Sequence, residues 1–442
     1  MDHFDVIVIG TGPGGRAVAP ALAAAGRRVA VVEAELVGGE CPFWACIPSK
    51  TLLRPGQLRE EARHVAGVGE PAQDWLAIRD YRDYMNSGLD DAHKAQWLES
   101  TGVTLLRGEA QVPERGTVLV GECELRAPEI VLASGSRAVV PEIPGLQREH
   151  VWTNREVTSL REVPRSAVVL GSGPVGLESA QYLSQLGCVV TLLERAERPL
   201  SREDPEVSEH VWDVLRAHGV DVRTHAEVTH VQHDETGVQV HTADGGLHHV
   251  ERLVVATGRA PRVEGLVPNG VSLRDGRVEV DARCHAAEGF WAVGDVTGVA
   301  PFTHVAGYQG RVVVDNLLGR DARADYRAVP RVVFGEPEVA AVGMTAAQAA
   351  EAGLRIRSAH VALAEVDRTE TYGRELFGGV GVLLDAARGV LVGAWAVGPE
   401  AGEWIHTPAL AIKAAVPLAV LRDFVPQFPT FNELWGEAAR KL

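Results

Sequence analysis

The clearest pattern in the chain is a run of consecutive apolar residues followed directly by glycines. Residues 5–9 form the first such run, glycines fill much of 10–15, and an alanine-rich stretch extends to Ala25. A second apolar run at 29–32 ends in Glu33. Apolar runs without alternation are typical of parallel strands that are buried on both faces. The pattern therefore predicts a strand, a tight turn, a helix and a second strand.

The same pattern occurs again in the middle of the chain. An apolar run at 167–170 leads into glycines at 171–176, and a run at 189–193 ends in Glu194. The first glycine of the motif and the acid are 23 positions apart in both copies. Such glycines let backbone amides approach a pyrophosphate at a helix N terminus, and the acid can accept from a ribose hydroxyl. Glycine turns that bind nothing are the alternative, but two full copies predict two dinucleotide sites. The motif glycines are Gly10, Gly12 and Gly15 in the first copy and Gly171, Gly173 and Gly176 in the second.

Three further apolar runs, at 130–132, 253–255 and 290–293, also lead into small residues. Small residues at strand ends let the backbone and a ligand come close to each other. An aspartate directly after such a glycine is well placed to accept hydrogen bonds from a sugar-like chain. The residues concerned are Ser134, Gly135, Gly258 and Asp295.

Length and composition limit the classes of protein to consider. A chain of 442 residues suggests about three domains. An apolar fraction of 46% and a charged fraction of 23% are those of an ordinary globular protein. The net charge of −16 argues against nucleic-acid and anionic-membrane partners. The start of the chain lacks a basic signal-peptide region, and no apolar run reaches the ~18 residues of a membrane span. We therefore expect a cytoplasmic protein.

Two of the five cysteines, Cys41 and Cys46, lie close together, and Lys50 follows four positions after the second. In an ideal helix, Cα atoms five positions apart are separated by roughly 8–9 Å, whereas a disulfide needs about 4.4–6.8 Å. If the cysteines pair, the backbone between them must leave regular helix, and Pro42 would help. On a helix, Cys46 and Lys50 share a face, and a lysine would favour the thiolate. Buried structural thiols and half of a zinc site remain open alternatives.

Two dinucleotide sites and one cysteine pair in a single chain suggest an electron relay. A nicotinamide cofactor would bring a hydride to one site, a flavin in the other would accept it, and two electrons would pass to the disulfide. We place the flavin in the first site because that unit carries the cysteines. In a reducing cytoplasm, a cysteine pair favours redox or metal chemistry over a structural role.

Motifs along nearly the whole chain are shared with a known family. They are the two G-x-G-x-x-G copies, G-G-x-C-x4-C-x-P-S-K from Gly38, A-S-G-S from Ala133, A-T-G-R from Ala256 and A-V-G-D from Ala292. With these motifs the chain resembles the flavin-dependent pyridine nucleotide–disulfide oxidoreductases, the family of dihydrolipoamide dehydrogenase, glutathione reductase and mercuric reductase. The resemblance implies FAD and NAD(P)H as cofactors and no resident metal.

The resemblance also implies an architecture. The fold class would be α/β, with two Rossmann-like dinucleotide-binding domains plus a C-terminal α+β dimerisation domain. An FAD-binding domain would take residues 1–148 and 265–328, an NAD(P)-binding domain 149–264, and the interface domain 329–442. A homodimer would follow, because in the family each active site uses the interface domain of the partner subunit.

Roles for individual residues follow from the same resemblance. Cys46 would be the thiolate stacked on the flavin, and Cys41 would be the thiol that meets the substrate. Lys50 would lie near flavin N5 and pair with Glu178, although a surface ion pair is the alternative. Further FAD contacts would come from Glu33 at the ribose, Ala110 at the adenine, Asp295 at the ribityl chain, and Ser134, Gly135 and His304. The nicotinamide cofactor would be bound by Gly171, Gly173, Gly176, Glu194 and Gly258.

The acid of the second motif bears on the choice of nicotinamide cofactor. Glu194 favours NADH, since a carboxylate accepts from the 2′-hydroxyl and repels a 2′-phosphate. Arg195, Arg198 and Arg202 follow closely, and one of them could contact a phosphate, so NADPH stays open. A solvated basic face is the alternative interpretation of these arginines.

The chain departs from the family at its C terminus. Thiol-handling members carry His-Pro-Thr-x-Ser-Glu there, whereas this chain has Phe428 in place of the histidine. Phenylalanine cannot carry a proton, and general acid–base help is typically worth about 10²–10⁴-fold in rate. Glu433 could act alone as the remaining catalytic acid–base group, or it could cap the fold. Phe428, Phe431 and Trp435 could stack on a flat acceptor such as a quinone, or pack at a dimer interface.

The expected function is an FAD-dependent NAD(P)H oxidoreductase that relays electrons through Cys41 and Cys46. The small-molecule acceptor would be a disulfide, a metal ion such as copper, or another small molecule, and dithiol oxidation would be the reverse reaction. Mercuric ion is disfavoured because no cysteine follows Cys284. A second hypothesis is a flavin reductase that acts directly on a quinone-like acceptor with dispensable cysteines. A third is a non-catalytic, FAD-holding redox sensor or assembly subunit.

Overall fold

The computed structural model describes residues 2–373 and 376–442. The chain divides into two compact units, each built from three stretches of sequence. The first unit contains the residues up to Pro48, Tyr81–Val139 and Arg259–Asp325, and the second contains Ser49–Asp80, Val140–Gly258 and Tyr326–Leu442. The domain boundaries given above remain predictions.

A six-stranded sheet forms the centre of the first unit. Five of its strands are parallel, and one edge strand is antiparallel. All four residues of the strand Val6–Ile9 are buried, as an apolar run in a doubly covered parallel sheet requires. The strands predicted at 5–9, 29–32, 130–132 and 290–293 are thereby confirmed. In spatial order the strands are His285–Ala287, Phe290–Ala292, Glu129–Leu132, Val6–Ile9, Val29–Glu33 and Thr104–Arg107.

Helix Pro13–Ala24 connects the first two parallel strands of this unit. It ends where the sequence predicts, because Gly26 has a φ of 83°, a left-handed conformation that glycine adopts without strain. The other helices are Glu40–Trp44, Ala92–Ser100 and Thr303–Leu317, with 3₁₀ turns at Ser87–Leu89 and Gly294–Thr297. A four-stranded sheet contains Asp2–His3, Cys123–Arg126, Thr117–Val120 and Ala110–Glu114, and two strand pairs are Ser136–Ala138 with Arg259–Pro261 and Leu273–Arg274 with Arg277–Val278.

The second copy of the sequence pattern forms a parallel sheet in the second unit. Helix Pro174–Gln185 follows its glycine motif, and Gly187, with a φ of 96°, stands just after the helix as predicted. The strands are, in spatial order, Asp221–Arg223, Val189–Leu193, Ser166–Leu170 and Arg252–Val255. An antiparallel sheet of Val228–Asp234, Gly237–Thr242 and Leu247–Val250, the helices Asn154–Thr158 and Pro205–Ala217, and a 3₁₀ turn at Arg148–His150 complete this part.

The C-terminal part of the second unit is built on an antiparallel sheet. Both long central strands are buried at every position, because apolar side chains pack on each face of the sheet. The strands are, in spatial order, Pro330–Val333, Glu338–Gly343, Val390–Gly398, Gly379–Asp385 and Ile356–Ala362. The helices are Ala346–Glu351, Ala401–Trp404, His406–Lys413, Leu418–Asp423 and Glu433–Lys441, with 3₁₀ turns at Leu363–Glu365 and Thr369–Thr371.

Two helices, Cys46–His64 and Trp75–Met85, contain residues of both units. Neither of them, nor any other helix within 2–373 and 376–442, is long and apolar enough to cross a membrane.

Candidate active site and cofactor-binding residues

The two glycine motifs form matching cradles at the N termini of helices Pro13–Ala24 and Pro174–Gln185. A Cβ atom at Gly15 would lie 2.0 Å from the carbonyl oxygen of Gly10, and a Cβ atom at Gly176 would lie 1.8 Å from that of Gly171. Only glycine therefore allows each helix to approach its turn this closely. The middle glycines, Gly12 and Gly173, are the N-caps, and a Cβ atom there would meet open space. Each cradle thus fits a pyrophosphate on exposed backbone amides.

The two acids are held in the same way. Glu33 Oε2 accepts from the backbone nitrogen of Thr11 at 2.9 Å and from its Oγ1 at 2.5 Å. Glu194 Oε2 accepts from the backbone nitrogen of Ser172 at 2.8 Å and from its Oγ at 2.6 Å. Burial favours the neutral acid, but hydrogen bonds from Ala196 and Ser172 lower the pKa of Glu194. The sequence analysis did not identify Thr11 and Ser172 as partners of these acids, although each follows the first glycine of its motif directly.

The cysteine pair lies at a break between two helices. Cys41 belongs to helix Glu40–Trp44, Cys46 begins helix Cys46–His64, and Ala45 between them has φ −133° and ψ −104°. The backbone therefore leaves regular helix between the cysteines, as a Cys41–Cys46 disulfide would require. The break lies at Ala45 rather than at Pro42, which is part of the first helix.

The sulfurs of Cys41 and Cys46 form a hydrogen bond with each other. A hydrogen bond with Cys46, and then burial, raise the pKa of the Cys41 thiol. The Cys46 sulfur lies 3.5 Å from Oγ1 of Thr303, the first residue of helix Thr303–Leu317. This makes Cys46 the better candidate for the thiolate, because Cys41 holds its proton. Sequence reasoning missed Thr303, although it named its neighbour His304, which is exposed and stacks on Phe302 with 5.3 Å between ring centroids.

Asp295 lies in a polar network of the first unit. Its Oδ2 accepts from Ser136 Oγ at 2.5 Å. The Arg259 guanidinium donates to Ser136 Oγ at 2.7 Å and to Glu40 Oε2 at 2.7 Å. The network thus connects the predicted ribityl-binding residue to the residue that precedes Cys41.

The other predicted cofactor residues lie at turns and strand ends. Ser134 Oγ donates to the carbonyl of Arg262 at 2.6 Å, so this hydroxyl supports a neighbouring loop. Gly135 and Gly258 have positive φ values of 70° and 139°. Ala110 begins the strand Ala110–Glu114 and packs against an apolar core. Their contacts with a cofactor remain predictions.

Lys50 and Glu178 form the predicted ion pair in the second unit. Lys50 Nζ donates to Glu178 Oε2 at 2.7 Å and to Oε1 at 2.9 Å. Phe334 donates its backbone N–H to Glu178 Oε1 at 3.1 Å, and its ring centroid lies 4.8 Å from Lys50 Nζ. Because only 7% of the Glu178 side chain is exposed, the alternative of a surface pair is wrong.

The C-terminal aromatic residues differ from the prediction. Phe431 and Trp435 are buried, with 7% and 6% exposure, in a cluster around Trp404. They cannot stack on an acceptor, so that part of the quinone hypothesis is wrong. Phe428 is 60% exposed. Glu433 Oε1 accepts from the backbone nitrogen of Thr430 at 2.8 Å, which is a capping role; a catalytic role for Glu433 stays a prediction.

Glu336 is a titratable group that no sequence motif marks as functional. Burial raises the pKa of its carboxyl from the ordinary 4.5 to about 8. Neighbouring carboxylates add to the rise, and the Arg54 guanidinium opposes it; these carboxylates are Glu61, Glu338 and Glu60. An acid with this pKa is largely neutral at pH 7 and ionises under mildly alkaline conditions.

Replacing Glu336 with glutamine is expected to stabilise the protein more as the pH rises. A carboxyl whose pKa is higher in the folded chain costs stability as it ionises. The cost begins near pH 4.5 and is complete above pH 8, where it reaches about 5 kcal/mol at 1.36 kcal/mol per unit. The melting temperature of Glu336→Gln relative to the parent protein should therefore increase from pH 5 to pH 8 and then level off.

The exposed Glu351 provides the control for this measurement. The difference between Glu351→Gln and the parent protein should be the same at every pH. If the Glu336→Gln difference is equally flat, the carboxyl of Glu336 has no raised pKa in the folded protein.

The chain has two dinucleotide cradles, and a cysteine pair follows the first of them. This combination is typical of nicotinamide-dependent redox enzymes. The chain belongs to the pyridine nucleotide-disulphide oxidoreductases, whose family it matches over residues 4–310 and whose dimerisation domain it matches over 329–439. The family consists of FAD- and NAD(P)H-dependent enzymes, and the protein is therefore a flavoprotein oxidoreductase.

Several known proteins are similar to this chain over almost its full length. The probable pyridine nucleotide-disulfide oxidoreductase RclA of Escherichia coli is 31% identical over 98% of both chains. The mercuric reductase of Lysinibacillus sphaericus is 30% identical over 98% of this chain and 81% of its own length. The solved Cu(II) complex of the HOCl-induced flavoprotein disulfide reductase RclA from Escherichia coli superimposes with a TM-score of 0.89, 29% identity and full coverage of both chains.

Proposed function

We propose that this protein is an NAD(P)H-dependent reductase that passes two electrons to a Cys41–Cys46 disulfide and from there to copper(II) ions. The observation that carries the proposal is the hydrogen-bonded pair of cysteines at the helix break. The hydrogen bond with Cys46 and burial raise the pKa of Cys41, so Cys41 is the sulfur that keeps its proton while the two thiols face each other. One thiol then serves as the thiolate and the other as its protonated partner.

The first cradle suits FAD, since Gly10, Gly12 and Gly15 leave the helix N terminus open to a pyrophosphate. Glu33 Oε2 accepts both of its hydrogen bonds from Thr11, whereas Oε1 accepts one from the backbone nitrogen of Glu35 and keeps a second lone pair for a ribose hydroxyl. Bound FAD would supply the two-electron link between the nicotinamide and the disulfide. Residues of this chain would hold the FAD and keep the thiols beside it, with Asp295 and Lys50 as further contacts.

The second cradle suits NADH better than NADPH. The pKa of Glu194 is lowered, so the carboxylate stays charged and would repel a 2′-phosphate. Arg198 donates to Ser208 Oγ and to the carbonyls of Ser201 and Glu203, so its guanidinium is already used in holding its own loop. Arg195 and Arg202 remain exposed as the residues that could meet a phosphate.

Phe428 in place of the family's C-terminal histidine favours a metal ion over a disulfide as the electron acceptor. Thiol exchange releases a thiolate that needs a proton, and Phe428 cannot give one. Reduction of copper(II) by a dithiol needs no proton donor, because protons leave the thiols. The description of the RclA structure as a Cu(II) complex supports this choice of acceptor.

The proposed reaction balances in electrons and protons with NADH and copper(II) as its reactants. NADH and one proton convert the disulfide into the dithiol and NAD⁺. The dithiol then gives one electron to each of two copper(II) ions, the disulfide re-forms, and two protons are released. In sum, NADH and two copper(II) ions give NAD⁺, two copper(I) ions and one proton.

The experiment is a steady-state assay of NADH and NADPH oxidation with copper(II), oxidised lipoamide and a benzoquinone as separate acceptors. We expect the highest kcat/KM with NADH and copper(II), with copper(I) formed at two per NADH as measured with a copper(I) chelator. Faster turnover of lipoamide than of copper(II) would contradict the proposed acceptor. Equal rates with NADPH would contradict the role given to Glu194.

We further propose a homodimer in the cytoplasm without nucleic-acid or membrane partners. The match to a dimerisation domain over 329–439 supports self-association. The exposed apolar side chains Leu410, Val425 and Phe428 of this region offer surface for it. The net charge of −16 supports the absence of nucleic-acid partners.

A further inference from the structure

Three residues between the first two strands of the dimerisation region form contacts with two helices. They are Phe334, Gly335 and Glu336, which follow strand Pro330–Val333 and precede strand Glu338–Gly343 by one residue. We refer to them as the strap. The strap and all of its contacts described below lie within the second unit.

The first helix that the strap contacts is Cys46–His64. Gln57 Nε2 donates to the carbonyl oxygens of Phe334 at 3.2 Å and Gly335 at 3.3 Å. The ring of Phe334 lies over Lys50 Nζ at 4.8 Å. The strap therefore holds this helix at two places, four and eleven residues after Cys46.

The second helix is Pro174–Gln185, which follows the second glycine cradle. The side chain of Gln181 donates to the carbonyl of Glu336 at 3.1 Å and accepts from its backbone nitrogen at 3.1 Å. Phe334 donates its backbone N–H to Glu178 at 3.1 Å. Gly335 leaves room for this arrangement, because a Cβ atom there would lie 2.4 Å from Gln181 Oε1.

We propose that the strap positions helix Cys46–His64 for the redox step and that Gln181 is the positioning residue that fixes the strap. The inference rests on the proposed function in that Cys46 is redox-active. Gln181 touches neither cysteine. It acts by holding the backbone of Glu336, so that Phe334 and Gly335 present their groups to Lys50, Glu178 and Gln57. The helix is continuous from Cys46 to His64, so the contacts at Lys50 and Gln57 act on the element that begins with Cys46.

The test compares three variants of the full-length protein loaded with FAD. Gln181→Leu removes both hydrogen bonds to Glu336, and Gly335→Ala displaces the Gln181 amide by adding a methyl group. Gln185→Leu is the matched control. Gln185 lies one turn further along the same helix and against Gly56 of the cysteine helix, but in the described part of the chain its Oε1 has no hydrogen-bond partner.

Two measurements are made on each variant. Hydrogen exchange reports the protection of backbone amides in residues 47–57, and equilibration with glutathione redox buffers reports the thiol–disulfide equilibrium constant of the cysteine pair. We expect both test variants to show about tenfold faster exchange in this segment and about a tenfold change in the equilibrium constant, as the loss of two hydrogen bonds implies. Gln185→Leu should match the parent protein in both.

Unchanged exchange and an unchanged equilibrium constant in Gln181→Leu and Gly335→Ala would overturn the inference, even if their melting temperatures fall. If Gln181→Leu does not fold, Gly335→Ala decides alone. A parent protein whose cysteines form no disulfide in any buffer would refute the proposed function instead, and the exchange measurement would still decide whether the strap holds the helix.

Discussion

Cys46→Ser is expected to lose reduction of copper(II) by NADH by at least about 10³-fold in kcat/KM, the scale of loss when a nucleophile is removed. Serine cannot form the disulfide that receives the two electrons. It also removes the sulfur that lies beside Thr303. The measurement is anaerobic NADH oxidation with copper(II), together with the FAD content of the variant.

Cys123→Ser is the matched control, since Cys123 is an exposed cysteine on the strand Cys123–Arg126. It should keep full activity. Cys41→Ser should lose copper(II) reduction as well but keep the Cys46 thiolate. Retained copper(II) turnover in Cys46→Ser with normal FAD content would contradict the relay. Activity kept only with a benzoquinone would favour a direct flavin reductase with dispensable cysteines.

Alanine at Gly15 and alanine at Gly176 are expected to have large and different effects. Each added methyl group would lie within 2.0 Å of a backbone carbonyl oxygen, so the helix must move away from its glycine turn. Overpacking of this kind costs about 1–3 kcal/mol, which corresponds to about 5–150-fold in affinity when it is lost from a ligand bound at the turn. Gly15→Ala should therefore lose FAD, whereas Gly176→Ala should keep FAD and lose its reduction by NADH.

The two variants are compared by their FAD content after purification and by the NADH concentration that gives half-maximal flavin reduction. Gly69→Ala is the control, because a Cβ atom at Gly69 meets nothing within 4 Å. Loss of FAD from Gly176→Ala rather than from Gly15→Ala would reverse the assignment of the two cradles.

The sequence predicts the strands and helices of both cradles because their signals are local. Four apolar residues before Gly10 and a glycine just after the helix are enough to define strand, turn and helix, and Gly26 and Gly187 both have the left-handed φ of a helix end. The helix break between the cysteines was predicted on the condition that they pair, because a disulfide cannot span five positions of regular helix. The Lys50–Glu178 pair came from the resemblance, since its members are 128 positions apart.

The parts that the sequence did not predict depend on contacts between distant residues. Thr303 meets Cys46 across 257 positions, and Gln181 meets Glu336 across 155, so no local pattern marks either contact. The raised pKa of Glu336 depends on the burial of its side chain. This burial cannot be predicted from the sequence, because a charged residue between a glycine and a proline is usually exposed. Phe431 and Trp435 were expected as possible stacking groups, but Trp435 on the C-terminal helix and Phe431 just before that helix both pack in the core around Trp404.

The most direct test of the relay is an anaerobic titration of the purified protein with NADH, followed through its visible spectrum. We expect a broad long-wavelength absorbance at two-electron reduction, because the Cys46 thiolate would then lie beside oxidised flavin. Cys46→Ser should lack this band. Bleaching of the flavin without the band in the parent protein would show that the cysteines take no part in electron transfer, and the proposed relay would be wrong.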